Sequence, residues 1–200
     1  MKTIFQTFLL FMSAVFLAAC SSVPEESKQS VEWENHKSLL AQIEQYQATG
    51  KLGYKSPEIK QSLNFIWTHS KDKSQLRLTT FLGQTVLNLE INQKEAKVTD
   101  RDGNIFTDSN ATHLVYRLTG LVIPVNYMQD WIKGLPTDAD SFQLNTETNT
   151  LSSLAKQLGT QDWQLNYVSY QTVDRIPLPY SMNLEHSDTS LKIVVSKWKI

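Results

Sequence analysis

Ser62-Leu63-Asn64-Phe65-Ile66-Trp67-Thr68, Leu76-Arg77-Leu78-Thr79 and Thr85-Val86-Leu87-Asn88-Leu89-Glu90-Ile91 are the runs that decide the fold. Each places its large apolar side chains largely on alternate residues, the period-2 pattern of strands with one covered face. Between them stand polar turn segments: Ser70-Lys71-Asp72-Lys73-Ser74, Asn92-Gln93-Lys94-Glu95 and, further on, the hairpin dipeptide Asp102-Gly103. Strands about ten residues apart predict an antiparallel meander.

Outward from this centre, the pattern changes and then returns. Asp108 or Ser109 is positioned to cap a helix that buries Leu114, Val115 and Leu118 and stops at Gly120. Pro124 suits the first turn of another, carrying Val125, Met128, Trp131 and Ile132 up to Gly134. Strands follow at 142–146, 150–158, 163–170, 181–185 and 191–198, with Pro177 and Pro179 marking a bend or an edge. Upstream, Trp33, Leu39, Leu40, Ile43 and Tyr46 predict an amphipathic helix from Val31, with Ser30 as its cap. The sum is ten or eleven strands and three helices: a mainly β chain with one curved antiparallel sheet and helices in its concavity. A parallel sheet would need regular βαβ alternation.

The first twenty residues are of another kind. Lys2 precedes Ile4 to Ala19, in which only Gln6, Thr7 and Ser13 are polar. That stretch is too short for a durable membrane span and reads as a signal peptide, residues 1–19. It ends in Leu17-Ala18-Ala19-Cys20, which resembles the bacterial lipobox, so the sole cysteine has a use: its sulfur receives a diacylglycerol, and its amine an acyl chain after cleavage. Ser21 stands where inner-membrane retention signals place Asp, which by those sorting rules sends the protein to the outer membrane, facing the periplasm. Residues 20–30 form a lipidated, flexible tether, and residues 31–200 form the folded domain.

Composition excludes several functions. Among 200 residues, 19 Lys and Arg meet 20 Asp and Glu, without the basic excess that nucleic-acid binding requires. His36, His69, His113 and His186 lack metal-ligand spacing, one cysteine cannot build a thiolate zinc site, and no nucleophile or phosphate-loop motif is present. The expectation is a protein that is not an enzyme and needs no cofactor or metal. Asp100-Arg101-Asp102-Gly103-Asn104 reads as a turn rather than a calcium loop, since its glycine is misplaced and Ala111 stands where the twelfth ligand should be. Asp130, Asp138 and Asp140 read as solvated charges. The segment without a bland reading is Phe81-Leu82-Gly83, two large apolar side chains where a hairpin tip is normally polar, which marks a partner or membrane contact.

Several motifs converge on one resemblance. Beside the lipobox stand Trp33 with His36, Gln45-Tyr46-Gln47-Ala48-Thr49-Gly50, Phe65-Ile66-Trp67, Leu82-Gly83 and Leu118-Thr119-Gly120 with Ile123-Pro124. Trp131-Ile132-Lys133-Gly134-Leu135-Pro136 and Trp163 with Tyr167 complete the set. Together they resemble the LolB family of outer-membrane lipoprotein receptors over essentially the whole mature chain. Phe81 departs from the best-known member, which has Pro before Leu-Gly. The resemblance implies an unclosed β-barrel like that of the periplasmic carrier LolA, with a lid of helices over a hydrophobic cavity. It further implies a monomer that takes triacylated lipoproteins from a LolA-type carrier and delivers them to the inner leaflet of the outer membrane. Its partners would be that carrier, the acyl chains of the cargo and outer-membrane lipid. Phe81, Leu82 and Gly83 would be the membrane-insertion loop. Leu63, Phe65, Trp67, Leu76, Leu78, Leu87 and Leu89 are candidates to line the cavity, because alternation identifies a covered face but not what covers it. A scaffolding lipoprotein would instead have a filled core, and a hydrolase would need a convergent polar site.

Overall fold

A computed structural model describes residues 25–119 and 123–200. Cys20, Ser21 and Gly120, to which the sequence assigns an anchor, a sorting signal and a helix stop, lie outside the described residues. Helix α1 (Trp33–Gln42) is followed by six strands: β1 (Tyr46–Lys55), β2 (Lys60–Ser70), β3 (Lys73–Thr79), β4 (Thr85–Asn92), β5 (Ala96–Asp100) and β6 (Ile105–Asp108). Helices α2 (Ala111–Thr119) and α3 (Val125–Trp131) come next. Five strands close the chain: β7 (Ser141–Leu144), β8 (Leu151–Leu158), β9 (Gln161–Val173), β10 (Ile176–His186) and β11 (Thr189–Lys199).

All eleven strands form one antiparallel sheet in the order β6-β5-β4-β3-β2-β1-β11-β10-β9-β8-β7. Each half is a meander, and the pairing of β1 with β11 joins them. The edges β6 and β7 do not pair, so the barrel is unclosed, and α2 and α3 lie between these edges in sequence. No described helix is long and apolar enough to cross a membrane.

The inner face follows the alternation. Pairing aligns Trp198, Ala48, Trp67, Leu76, Leu89, Val98 and Phe106 in one row across seven strands. Two cores form on it. The larger gathers Leu40, Phe65, Trp67, Met128, Trp131, Leu165, Met182 and Val195; the smaller packs Leu89, Ala96 and Val98 against Ala111, Leu114, Val115 and Val125. The helix over 125–131 thus buries the face expected of it, with Pro124 at its N-terminus and Gly134 at φ 88° after it.

Several local expectations are corrected. The first helix starts two residues later than Val31 and is capped by Glu32, whose carboxylate accepts the Glu34 and Asn35 N–H groups, rather than by Ser30. It buries His36 and Leu40 while Leu39 is exposed, and Tyr46 belongs to β1. β1 was not expected at all: Ala48 and Gly50 occupy inner positions and are too small to register as an apolar alternation. In the second helix Asn110, not Asp108 or Ser109, accepts the His113 N–H, while Leu118 is exposed. Pro177 and Pro179 are in an interior strand, not at an edge. They lie beyond the stretch of β10 that pairs with β11, and the register slips after Pro179. Finally, the polar segment expected to be a flexible tether is bonded to the sheet from Ser27 onward, its N–H to Tyr170 O at 2.8 Å and its Oγ accepting from Thr172.

Candidate functional site: an apolar inner face and a hydrophobic hairpin tip

The β3–β4 connection is a three-residue loop of the kind that follows a turn with a left-handed residue. Thr80 N–H donates to Gln84 O at 2.9 Å and Gly83 N–H to Thr80 O at 3.0 Å. Phe81 is therefore the first central residue of the turn, a position that proline also suits. Gly83 has φ 82° with no atom within 4 Å of an added Cβ, so backbone conformation rather than space demands glycine there. The consequence is exposure: Phe81 is 86% and Leu82 73% accessible, the highest values among the large apolar residues described as exposed. A monomer in water gains nothing from two such side chains, so they point to a contact outside the domain.

The seven lining candidates all lie on strands facing the helices, but they divide. Phe65 and Trp67 are buried in the larger core and Leu89 in the smaller. Trp67 is held further by its Nε1–H, which donates to Ser74 Oγ at 2.7 Å. Leu63 is buried opposite Leu52. Leu76, Leu78 and Leu87 stay partly exposed, with Leu52 and Tyr54 beside them in the pattern. A strip of half-covered apolar side chains therefore runs along the inner face toward the tip. A separate cleft of about 330 Å³ lies between α2, α3 and Leu158, lined by Asn110, Thr112, His113, Tyr116, Asn126 and Tyr127; it contains none of the seven candidates.

Trp131-Ile132-Lys133-Gly134 does more than end a helix: its contacts make it a clamp between α3 and the sheet. Trp131 and Ile132 are fully buried, Tyr167 Oη donates to Trp131 O at 2.7 Å, and Tyr46 Oη donates to Gln129 O at 2.7 Å. Lys133, 4% exposed, donates to Ile43 O at 3.0 Å and pairs with Asp130 at 3.1 Å. A buried lysine is tolerable only with such partners. Burial pushes the Tyr46 and Tyr167 hydroxyls well above the usual tyrosine range, which keeps them neutral donors. Two of the three aspartates read as solvated charges are engaged: Asp130 as above, and Asp140 with Lys156 at 2.7 Å. The Gln157 N–H, and then the Lys156 contact, hold the Asp140 carboxyl below the usual range. Asp100 accepts the Asp102 and Asn104 N–H groups, as a turn does. Among the described residues no group of three His, Cys, Asp or Glu could hold a metal ion.

Comparison with known proteins agrees with this geometry. The family described as "Outer membrane lipoprotein LolB" matches residues 44–198. A protein of Vibrio campbellii named "Outer-membrane lipoprotein LolB" is 50% identical over 196 residues, 96% of each chain. Those of Vibrio cholerae and Serratia proteamaculans, with the same name, are 44% and 32% identical. They cover 94% and 96% of this chain, and 93% and 95% of their own. Among solved structures, a LolA superfamily protein from Nitrosomonas europaea superposes with a TM-score of 0.55 at 10% identity, covering 86% of this chain and 94% of that one. A DUF1329 family protein from Desulfovibrio piger gives 0.54 at 8%, covering 84% and 92%. Those two show the fold alone.

Proposed function

Because the chain belongs to the LolB family of outer-membrane lipoproteins, we propose that it accepts triacylated lipoproteins from a LolA-type periplasmic carrier and incorporates them into the inner leaflet of the outer membrane. Cys20 is the lipidated residue that holds it there, and the domain faces the periplasm. An exposed palmitoyl-length chain costs on the order of 10 kcal/mol at about 0.8 kcal/mol per CH₂. The acyl chains therefore travel against an apolar surface, for which the half-covered strip of Leu76, Leu78 and Leu87 is suited. Transfer needs no nucleotide if each acceptor binds the chains better than the donor, and the bilayer better still.

The observation that carries this reading is the tip: Phe81 and Leu82 stand in water on a hairpin closed by the Thr80–Gln84 hydrogen bond. A side chain already in water loses little folding energy on becoming polar, but it loses a contact worth roughly 1.5–3 kcal/mol if it must enter lipid. Leu82→Glu combined with Phe81→Ser should fold, take labelled lipoprotein from the carrier and deliver it poorly to membranes. Acceptance and incorporation are scored separately, and equal incorporation by the wild type and this variant would remove the tip from the mechanism. For the anchor, Cys20→Ala should abolish lipid labelling and processing; normal labelling would sink that assignment.

A further inference from the structure

We propose that the outer face of β11, β1, β2 and β3 is a docking surface for the anionic phospholipid headgroups of the membrane that the tip enters, an inference that rests on the delivery reading above. These four strands carry Lys51, Lys55, Lys60, Lys73, Arg77, Lys192, Lys197 and Lys199, and not one Asp or Glu, in a chain whose net charge is −1. Inner positions on these strands are mainly apolar, so the cations collect on one side. Pairing sets Thr49 between Lys197 and Ile66, with Arg77 next, and places Lys51 beside Asn64 and Thr79. Only Lys73 is ion-paired, with Glu90 at 2.9 Å; the other seven are exposed and have no carboxylate within ion-pair distance among the described residues.

The face also holds an internal conflict. Lys55 and Lys60 are directly opposed across β1 and β2, an arrangement that is destabilising unless an external anion relieves it. The nearest acids in the topology do not pair with the other seven cations: Glu44 precedes β1, Glu58 is in the β1–β2 turn, Asp72 in the β2–β3 turn accepts from Gln93, Glu185 and Asp188 are at the β10–β11 turn, and Glu90 is committed to Lys73 and Lys97.

Two features make the occupant a lipid surface rather than an acidic protein. The cations run up to the apolar tip, since Lys51 shares a cross-strand row with Thr79, two residues before Phe81. The β1–β2 turn at the same end adds Ile59, 51% exposed. Cations contiguous with exposed apolar side chains are the signature of interfacial binding.

The test uses the chain extracted from membranes with its anchor and reconstituted into vesicles of phosphatidylethanolamine alone or mixed with phosphatidylglycerol. Each lysine near an anionic surface contributes on the order of a fivefold preference. Acetylation rates read by mass spectrometry should therefore drop about fivefold or more at Lys51, Lys55, Lys60 and Lys192 on the anionic vesicles. Lys94, in the β4–β5 turn, should be unaffected, and high salt should abolish the protection. Equal rates on both vesicles overturn the proposal. The variant with Lys51, Lys55, Lys60 and Lys192 replaced by Gln should deliver cargo to anionic vesicles at least tenfold more slowly while accepting it from the carrier normally. A variant that fails in acceptance and keeps its vesicle delivery would assign the face to the carrier and overturn the proposal. Wild-type delivery that is indifferent to lipid charge defeats this inference alone, whereas no delivery to any vesicle defeats the reading beneath it.

Discussion

Two glycines show how differently single positions constrain this chain. Gly83 has open space and an obligatory left-handed backbone, so a side chain there strains the tip without touching anything. Gly50 is the reverse: at the register slip between β1 and β11, an added Cβ would fall 1.9 Å from Val194 O, and backbone cannot step aside as a flexible side chain can. Overpacking of this kind costs about 1–3 kcal/mol or more. Gly50→Ala should destabilise the domain by about 3 kcal/mol in urea unfolding; a loss below about 1 kcal/mol would mean that the irregular pairing absorbs the methyl group.

At the scale of elements, neighbouring inner-face positions have different duties. Phe65, on β2, is 2% exposed in the larger core, while its cross-strand partner Leu78, on β3, is half-covered. A carboxylate at the first must be buried unpaired, at several kcal/mol; at the second it can tilt toward water. Phe65→Glu should therefore unfold the protein, whereas Leu78→Glu should keep its melting temperature within a few degrees. The Leu78 variant should bind a fluorescent acyl probe about 10- to 100-fold more weakly, the value of one lost apolar contact. Undiminished probe binding by a folded Leu78→Glu would take Leu78 out of the acyl path. The hairpin that carries the tip and the clamp that carries α3 are separate elements, so delivery and stability should be separable by mutation.

For the whole molecule, stability should depend on pH through two histidines on different elements, buried His36 and half-buried His69. His36, on α1, donates Nε2–H to Pro177 O at 2.9 Å, and burial lowers its pKa from the usual 6.5. His69, on β2, stacks on Tyr46; burial and then the Lys133 charge lower its pKa, against a smaller opposing pull from Asp130. The unfolded chain takes up protons near pH 6.5 that the folded chain refuses, so stability is full above that value and is lost as pH falls through the folded values. The melting temperature should fall between pH 7.5 and 5.5, and His36→Gln with His69→Gln should flatten the slope; an unchanged slope would place the dependence elsewhere. The sequence by itself determined the meander, the three helices and the apolar tip, because each is written in neighbouring residues: period-2 runs, helical stripes and turn dipeptides. Tertiary structure alone decided the rest. β1 became visible through its pairing with residues 190–199, the lining candidates separated into core and half-covered strip only under the helices, and buried Lys133 found the Ile43 carbonyl at the end of α1. The cations of β1, β2, β3 and β11 gather into one face only when pairing joins the last strand to the first. Local pattern records which side of a strand is apolar, but contacts between residues far apart in sequence decide what covers it.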